Sequence, residues 1–584
     1  MLKEYFTSTI ASLRYSTRYA GGLSIAMIVL SIVLSSTSYL NSYGLKVLLN
    51  SLEGLSQEEL FSVRTIPIII LFSLLVTTPE VIKVIFELVN KLWLFRISEK
   101  IEAMILQKKI EIEIVLHESS DFQNLMQRAF HRGIHPLIDL TRHHFTMIQS
   151  GVAFAVGAAL ACSVSPVAFI ILIVCCIPQI IVQYKYGNGI WSIRAEDSPE
   201  QRRFLDLKRY FTTADVIIET KLYQTGPKLI EWLQDILKKF HRKHSRFERK
   251  RVALAIGAEL VFFAGSSICL YLLLKLFVGQ GWKLGDLVFA IGTFTAAGAS
   301  IRDIFRVMNR SYEEHLSVRD ILQFLNIPTP ASKKQGSDSF ALESAPEIVF
   351  ENVWFKYQSS DRWILKGVSF KLEKNRKTAL VGANGSGKST IIKLLCKIYE
   401  PTKGKIYING RDLSEIDTDD WWSNVATLFQ DSIDYYFPTN QAIAVGNIRK
   451  PMDKAKVTTS AYLSRASEFI EKWEKKYETQ LGLVFDGQAP SKGQRQKLSL
   501  AKTIYRDAYL TILDEPTTSM DVDSVKFIAD NLHQTGLGKS LIVVSHDTSL
   551  IKKCDELLMI KNGTVAMHGS HSDLLENEHY KEIV

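Results

Sequence analysis

Long apolar stretches without charged residues constrain this chain more than any other feature. From Phe145 to Tyr184 the sequence contains no Asp, Glu, Lys or Arg. A helix needs about 20 mostly apolar residues to cross a bilayer, so this stretch suffices for two crossings. The Cys162-Ser-Val-Ser-Pro166 segment near its middle indicates a tight turn between them. A membrane-embedded helical bundle is therefore expected.

Four further spans complete a bundle of six. Tyr19–Leu45 carries no formal charge and is the first. The second starts near Thr65, but its charge-free run ends at Pro79 and is too short to cross alone. It must continue through charged residues at helical spacing, which are Glu80, Lys83, Glu87 and Lys91. Two interpretations stay open: this face lines a wet translocation pathway, or it is a ladder of ion pairs at the cytoplasmic end.

The fifth span is predicted from about Val252 to Val278, and the sixth from about Asp286 through Ile301 to Arg306. Two charged segments between spans, 92–142 and 186–250, keep helical apolar periodicity. We expect them to extend membrane helices into the cytoplasm. Their bends are predicted near His117–Phe122 and near Thr213–Tyr223.

Lys and Arg residues set the orientation of the predicted spans. Arg14, Arg18, the 96–142 segment and the dense basic run Lys238–Arg251 all fall on one side. Because positive charge marks the cytoplasmic side, short loops near 50–64, 162–166 and 279–285 lie outside and both termini lie in the cytoplasm. The basic run directly precedes an apolar segment, so the net charge of +9 gives no reason to expect nucleic acid as a partner.

The second half of the chain alternates apolar and charged residues, as soluble α/β proteins do. Its strongest motif is a P-loop pattern between an apolar strand, Thr378–Val381, and an apolar helix, Ile391–Leu395. The pattern consists of Gly382, Ala383, Asn384, Gly385, Ser386, Gly387, Lys388, Ser389 and Thr390. Its glycines let backbone N–H groups surround phosphates, Lys388 reaches the β and γ oxygens, and Ser389 binds magnesium. ATP and Mg²⁺ are the predicted cofactors.

A second nucleotide motif follows a buried-strand pattern, Tyr509–Leu513. The strand ends in Asp514 and Glu515. We expect Asp514 to hold magnesium, directly or through water, and Glu515 to orient and polarise the attacking water.

These motifs, in this order, resemble those of ABC ATPases, and the resemblance covers the whole chain. It implies an exporter-type half-transporter: a membrane α-helical bundle of six transmembrane helices followed by an α/β P-loop NTPase domain with the ABC helical subdomain. The implied domains are 1–328 in the membrane with long cytoplasmic helix extensions, a linker at 329–344, and a nucleotide-binding domain at 345–584.

The resemblance also assigns roles to four residues. Tyr357 resembles the aromatic residue that stacks on adenine, with Trp354 and Phe355 as competing candidates. Gln430, in Phe429-Gln430-Asp431-Ser432, resembles the Q-loop glutamine, a catalytic residue and magnesium ligand. Asp521 resembles the D-loop aspartate that contributes to nucleotide binding, and His546 the switch histidine that contacts the γ-phosphate.

The signature motif departs from the family. Where the family has Leu-Ser-Gly-Gly-Gln, this chain has Pro490-Ser491-Lys492-Gly493-Gln494. The family segment presents a helix N-terminus to the γ-phosphate bound by the other subunit, which implies ATP contacts for Ser491, Gly493 and Gln494. Lys492 replaces a glycine where the backbone approaches phosphate closely. It either hinders closure or adds a favourable charge, and the sequence does not decide which.

Fusion of six spans to one ATPase resembles exporters, and one chain offers only half of each ATP site. The partner is thus a second copy or another half-transporter.

Three segments resemble bacterial peptide exporters of the lantibiotic type, acting in the cytoplasmic membrane; they are 117–122, 429–432 and 514–517. No cysteine-protease domain precedes the first span, so a leader-cleaving exporter is not expected. Lipid or multidrug export, or a half whose ATP site is mainly structural, remain alternatives.

Overall fold

The computed structural model describes residues 2–53, 65–130, 132–187, 198–212, 214–329, 340–358, 360–531 and 539–574. The chain divides into two compact units, Met1–Pro330 and Ala331–Val584. The predicted linker, 329–344, lies largely outside the described residues, so the domain boundaries stay a prediction.

The described part of the first unit is built from helices. They are α1 (Leu2–Ser35), α2 (Thr37–Leu52), α3 (Ile66–Glu111), α4 (Ile114–His117), α5 (Ser120–Phe130), α6 (His135–Val164), α7 (Pro166–Gly187), α8 (Ser198–Arg209), α9 (Ala214–Leu222), α10 (Gly226–Gln280) and α11 (Leu284–Leu325).

Six stretches among the described residues are long and apolar enough to cross a membrane. They are Lys3–Leu52, Ile66–Glu111, Ser120–Val164, Pro166–Gln183, Gly226–Gln280 and Leu284–Leu325. Each contains the core of one span expected from the sequence, which confirms the predicted six-helix membrane domain.

The helix ends follow local backbone chemistry. Ser165 has an extended backbone that ends α6, and α7 starts at Pro166, where the missing N–H of proline costs nothing. The tight turn expected within Cys162–Pro166 lies at this junction. At the end of α10, Gly281 adopts φ of +63°, a left-handed conformation that glycine takes without strain.

The helix α1 kinks at Ala20, where φ is −139° and ψ is 39°. The Ser24 hydroxyl donates a hydrogen bond to the Ala20 carbonyl oxygen at 2.9 Å, directly at the kink. The Trp93 indole N–H lies 3.0 Å from the Ser16 hydroxyl and 3.2 Å from that of Ser24. Because Trp93 is fully buried, these hydroxyls satisfy its only polar atom.

The segment after α3 bends where the sequence indicates. Short breaks separate α3, α4 and α5, and α5 packs its apolar face, including Phe122 and Leu125, against Phe324 of α11. Two ion pairs add to this contact. Arg128 lies 3.3 Å from Asp320, and Arg132 lies 2.7 Å from Glu314. The second predicted bend corresponds to α9, although Thr213 lies outside the described residues.

The four charged residues of α3 considered above, from Glu80 to Lys91, are exposed on the single chain, and Lys83 lies 3.9 Å from Glu80. A pair this long and this exposed is weak, so it does not distinguish the two interpretations of that face. The role of the face stays a prediction.

The second unit combines two sheets with short helices. Its strands are β1 (Ile348–Phe355), β2 (Leu365–Leu372), β3 (Lys377–Val381), β4 (Lys403–Ile408), β5 (Arg411–Asp412), β6 (Val425–Leu428), β7 (Leu510–Asp514), β8 (Ser540–Val544), β9 (Glu556–Lys561) and β10 (Thr564–Gly569). Its α-helices are α12 (Lys388–Leu395), α13 (Thr418–Ser423), α14 (Thr439–Ala444), α15 (Lys454–Leu463), α16 (Ser467–Ile470), α17 (Lys492–Arg506), α18 (Val522–Asn531), α19 (Thr548–Ile551) and α20 (His571–Leu574).

The larger sheet has the order β10-β9-β3-β8-β7-β6. From β9 to β6 the neighbours are parallel, and β10 pairs with β9 antiparallel. The strands β3, β7 and β8 are buried along their whole length, as expected of parallel strands covered on both faces. The smaller sheet, β2-β1-β4-β5, is antiparallel.

Candidate functional site

Four predicted site segments follow four adjacent parallel strands. The P-loop follows β3, Gln430 follows β6, Glu515 follows β7 and His546 follows β8. The strand register aligns Leu380 with Val544 and Val544 with Asp514. Because the strands are parallel, their carboxyl ends meet at one edge of the sheet, which is where ligands bind in open α/β folds. Residues far apart in sequence are thus brought together.

The phosphate loop has a backbone that only glycine fits at its ends. Gly382 has φ of +151°, and a Cβ there would collide with the carbonyl oxygen of Ile560. Gly387, with φ of +112°, directly precedes α12 and leaves the first N–H groups of that helix free. The Ser386 hydroxyl is buried without a hydrogen-bond partner among the described residues. This cradle fits a phosphate group.

Lys388 folds back over the loop. Its ammonium donates hydrogen bonds to the carbonyl oxygens of Gly382 at 2.5 Å and Ala383 at 3.1 Å. Burial lowers the pKa of Lys388, while the charges of Glu515 and Asp514 oppose that shift. Lys388 therefore lies in a partly desolvated place, where the attraction between an ammonium and phosphate oxygens is strong.

The two carboxylates after β7 differ in environment. Asp514 is buried, and burial raises its pKa against the opposing charge of Lys388. Glu515 is partly exposed; burial raises its pKa first, and the neighbouring charge of Asp514 adds to the shift. A carboxylate with a raised pKa is a stronger base than an exposed one.

His546 faces Glu515 across the site. Its Nε2 atom lies 3.6 Å from Oε1 of Glu515. Burial, followed by the charge of Lys388, lowers the pKa of His546. The imidazole is therefore neutral at neutral pH, so this contact is not an ion pair there.

A magnesium ion would find oxygen ligands in this group of residues. Ser389 lies in the first turn of α12, Asp514 ends β7, and Gln430 lies two residues beyond β6. Hydroxyl, carboxylate and amide oxygens suit Mg²⁺, which in nucleotide sites takes few protein ligands and completes its shell with phosphates and water. The predicted ligands fit the ion.

The structure separates the aromatic candidates for adenine stacking. The Tyr357 hydroxyl lies 3.3 Å from the Thr390 hydroxyl at the start of α12, and the Lys393 ammonium lies 5.6 Å from the ring centroid. Phe355 is buried, and Trp354 packs edge-on against Trp363. Tyr357 is thus the candidate whose side chain contacts α12, the helix that follows the phosphate loop.

The signature segment forms the N-terminus of α17. The Ser491 hydroxyl accepts a hydrogen bond from the Gln494 N–H at 3.3 Å, and the Gln494 side chain accepts from the Ser491 N–H at 2.9 Å. This reciprocal capping box fixes the helix start. Lys492, the first helical residue, is exposed, and its φ is not positive. By contrast, a Cβ on Gly493 would lie 2.5 Å from the Ser519 carbonyl oxygen.

Two contacts of α17 were not expected from the sequence. Gln496 donates a side-chain hydrogen bond to the backbone carbonyl of Glu515 at 2.9 Å, and the Lys497 ammonium lies 3.3 Å from Asp521. Asp521 also accepts from Ser524, and these hydrogen bonds, Ser524 first, hold its pKa well below its usual range. Gln496 and Lys497 lie three and four residues after Gly493, on the same face of the helix that the signature begins. That spacing indicated that they lie near the site, but it did not identify their partners.

A cavity of about 220 Å³ lies along another face of α17. Tyr436, Leu483, Leu498 and Lys502 are among its lining residues. The lining contains none of the predicted phosphate-binding or magnesium-binding residues, so this cavity is not the nucleotide site.

Comparison with known proteins identifies this arrangement. Residues 365–518 match the family model described as ABC transporter. The chain therefore carries an ABC transporter ATP-binding domain fused to a membrane domain. The matched segment runs from the start of β2 through the phosphate loop and the signature to the loop after Glu515.

Several relatives extend the likeness. The subtilin transport ATP-binding protein SpaT of Bacillus subtilis is 27% identical over 85% of this chain and 81% of its own length. The leukotoxin export ATP-binding protein LtxB of Aggregatibacter actinomycetemcomitans is 28% identical over 55% of this chain, and the ATP-dependent lipid A-core flippase of Vibrio vulnificus is 32% identical over 42%. The alignments span less than half the length of these last two relatives.

A solved structure shares the fold of nearly the whole chain. A bacterial Atm1-family ABC exporter with ATP bound superposes with a TM-score of 0.76 over 96% of this chain and 98% of its own, at 17% identity. The fold is therefore that of an ABC exporter. Together, the ABC ATP-binding domain and the exporter relatives indicate an ATPase coupled to transport by a multi-pass integral membrane protein.

Proposed function

We propose that this chain is an exporter half-transporter that hydrolyses ATP as a dimer to move a peptide out of the cytoplasm. The observation that carries the proposal is the convergence of the phosphate loop, Asp514, Glu515 and His546 at one edge of a sheet, in a chain whose described residues include six stretches long and apolar enough to cross a membrane. Peptide as cargo is supported by the alignment with the subtilin transporter, which covers most of both chains.

ATP would be held by its base and its phosphates. Tyr357 stacks on adenine, the loop from Gly382 to Thr390 surrounds the phosphates, and Lys388 leaves the loop carbonyls for the β and γ oxygens. Ser389, Gln430 and Asp514 would hold Mg²⁺, which, when bound, neutralises charge on the transferring phosphoryl group.

Hydrolysis requires a water aligned with the γ-phosphorus. Glu515 accepts a proton from that water as its oxygen bonds to phosphorus, and the bond from phosphorus to the β–γ bridging oxygen breaks, with that electron pair leaving on ADP. The raised pKa of Glu515 makes it a better proton acceptor. Neutral His546, which lies 3.6 Å from Glu515, would donate a hydrogen bond to a γ-phosphate oxygen.

Each ATP site is completed by the other subunit. The capped N-terminus of α17, with Ser491, Gly493 and Gln494, would face the γ-phosphate bound by the partner. ATP binding then favours the closed dimer, the cytoplasmic bends carry closure into the spans, and hydrolysis resets the transporter. The partner is a second copy of this chain or a related half-transporter.

The orientation follows from charge. The concentration of Lys and Arg in the cytoplasmic extensions supports both termini on the cytoplasmic side of a bacterial cytoplasmic membrane. The Lys238–Arg251 run precedes the apolar part of α10 and fits that arrangement.

The test is ATPase stimulation of the purified chain in proteoliposomes. The panel comprises subtilin, a tryptic casein digest, lipid A and a hydrophobic dye, with Glu515→Gln as the inactive control. We expect peptides to raise the ATPase rate above the basal value, with little response to the others. A rate that responds to no peptide would contradict peptide export.

Lipid export is the second candidate. It is favoured by the 32% identity with a lipid A-core flippase, although that alignment spans only 42% of each chain. Stimulation by lipid A but not by peptides would support it. A third possibility, a regulatory half that holds ATP without turnover, predicts no basal ATPase for the chain alone.

A further inference from the structure

The peptide backbone at Glu515 has an unusual conformation. Its φ is +50°, the left-handed region that non-glycine residues rarely adopt. Such conformations persist only where surrounding contacts hold them, and they cluster at functional sites. The conformation decides where the Glu515 carboxylate points, so the groups that hold this backbone also place the proposed base.

Two hydrogen bonds hold the Glu515 backbone. Its N–H donates to the Val544 carbonyl oxygen at 2.9 Å, continuing the pairing of β7 with β8. Its carbonyl oxygen accepts from the Gln496 side-chain amide at 2.9 Å. The Thr518 N–H, at 3.4 Å from the same oxygen, is a weaker contact. The sheet thus fixes the peptide unit that precedes the Glu515 Cα atom, and Gln496 fixes the peptide unit that follows it.

Gln496 is itself well placed to act as a fixed donor. It is partly buried and lies on α17 between Arg495, which pairs with Asp434 at 3.0 Å, and Lys497, which lies 3.3 Å from Asp521. One helical turn earlier, Gly493 is close against the Ser519 carbonyl oxygen. This face of α17 therefore contacts the loop after β7 at several points.

We propose that Gln496 is a positioning residue for Glu515: its amide holds the Glu515 peptide in the left-handed conformation that directs the carboxylate toward the attacking water. The inference rests on the proposed ATPase function and adds a residue to it. Gln496 acts on the proposed base through the Glu515 backbone carbonyl. Losing it would let that peptide relax and would displace the base, which lowers turnover without weakening ATP binding.

The experiment compares three variants of the full-length chain in proteoliposomes. Gln496→Met removes the donor at nearly constant length, and Gln496→Lys restores an N–H donor on a long side chain. Gln480→Met is the matched control, because the Gln480 amide also donates to backbone carbonyls, those of Tyr436 at 2.8 Å and Leu481 at 3.0 Å. For each we would measure kcat for ATP, equilibrium ATP affinity, and hydrogen–deuterium exchange of the backbone amides of residues 517–521, which follow Pro516.

For Gln496→Met we expect a fall in kcat of about 10- to 100-fold, ATP affinity within about twofold of the parent, and exchange faster by about fivefold or more. Gln496→Lys should recover part of the lost kcat, and Gln480→Met should match the parent in every measurement. Parental kcat in Gln496→Met, an equal loss in Gln480→Met, or unchanged exchange would each overturn the proposal. If the parent chain hydrolysed no ATP, the proposed function would fail, and the exchange comparison alone would decide the role of Gln496.

Discussion

At the scale of single residues, the local motifs were predictable from sequence and their supports were not. The phosphate loop and the Asp514-Glu515 pair are contiguous or adjacent residues whose spacing is the signal. The Gln496 bond to Glu515 joins residues on a helix and a strand end, and nothing in the spacing shows which donor meets which carbonyl. Sequence also left Tyr357, Trp354 and Phe355 in competition, because the burial of Phe355 and the contact between Tyr357 and Thr390 arise only on folding.

The buried Asp514 carboxylate gives a prediction for stability. Its pKa is raised in the folded chain, so the ionised form destabilises the nucleotide-free fold at neutral pH, and that cost disappears as pH falls below the pKa of the unfolded chain. Asp514→Asn should therefore raise the melting temperature of the nucleotide-binding unit at pH 7 to 8. A stability gain of about 1 kcal/mol would raise the melting temperature by roughly 2–4 °C for a unit of this size.

The measurement is thermal unfolding without nucleotide or Mg²⁺, from pH 8 down to the lowest pH at which the chain stays soluble. The stability gain should shrink steadily toward acid pH. A gain independent of pH, or a loss at pH 8, would show that ionisation of Asp514 is not what destabilises the fold.

Lys492 yields a second prediction at this scale. The helix starts at Lys492 without a positive φ, so the lysine does not strain the backbone, and its exposed ammonium adds charge beside a helix N-terminus. Lys492→Gly and Lys492→Met should both weaken ATP-driven dimer closure by about 2- to 10-fold, more at low than at high salt. Closure would be followed by intersubunit cross-linking in a Glu515→Gln background. Tighter closure in Lys492→Gly would instead mean that the side chain obstructs the interface.

At the scale of elements, hydropathy was sufficient to place the membrane spans, because crossing a bilayer demands a length of apolar chain that few other structures need. It was not sufficient to place the breaks. The segment after α3 has interruptions around residues 112–113 and 118–119, and α1 kinks at Ala20, directly before Gly21 and Gly22, which weaken a helix without fixing where it bends. These features depend on packing against α11 and on the buried hydroxyls near Trp93.

The kink in α1 predicts a localised stability effect. Ser24→Ala removes the hydroxyl bonded to the Ala20 carbonyl and leaves the buried Trp93 N–H with Ser16 alone. We expect a loss of about 1–2 kcal/mol in the free energy of unfolding, measured by thermal melts in detergent. Ser36→Ala is the control, since its exposed hydroxyl bonds only the Val33 carbonyl, and it should change stability by less than about 0.5 kcal/mol. Equal effects in both variants would contradict a special role for the buried hydroxyls.

At the scale of the whole molecule, the sequence predicted that a membrane domain precedes an ATP-binding domain. That ATP hydrolysis in the second drives transport through the first is our proposal. Apolar stretches and nucleotide motifs occupy separate halves of the chain, and the structure divides into two units accordingly. The sheet order β3-β8-β7-β6 could not be deduced from one sequence, because strand neighbours are set by crossovers rather than by composition. That order is what gathers four distant segments at one edge.

The central claim is that triphosphate cleavage at the Lys388 loop drives movement through the membrane unit. The direct measurement is ATP-dependent uptake of subtilin and a casein peptide pool into inside-out vesicles carrying parental chain, Lys388→Ala or Glu515→Gln. We expect uptake by the parent alone, with ATP affinity strongly reduced in Lys388→Ala and retained in Glu515→Gln. Peptide uptake by Lys388→Ala at the parental rate would contradict this claim.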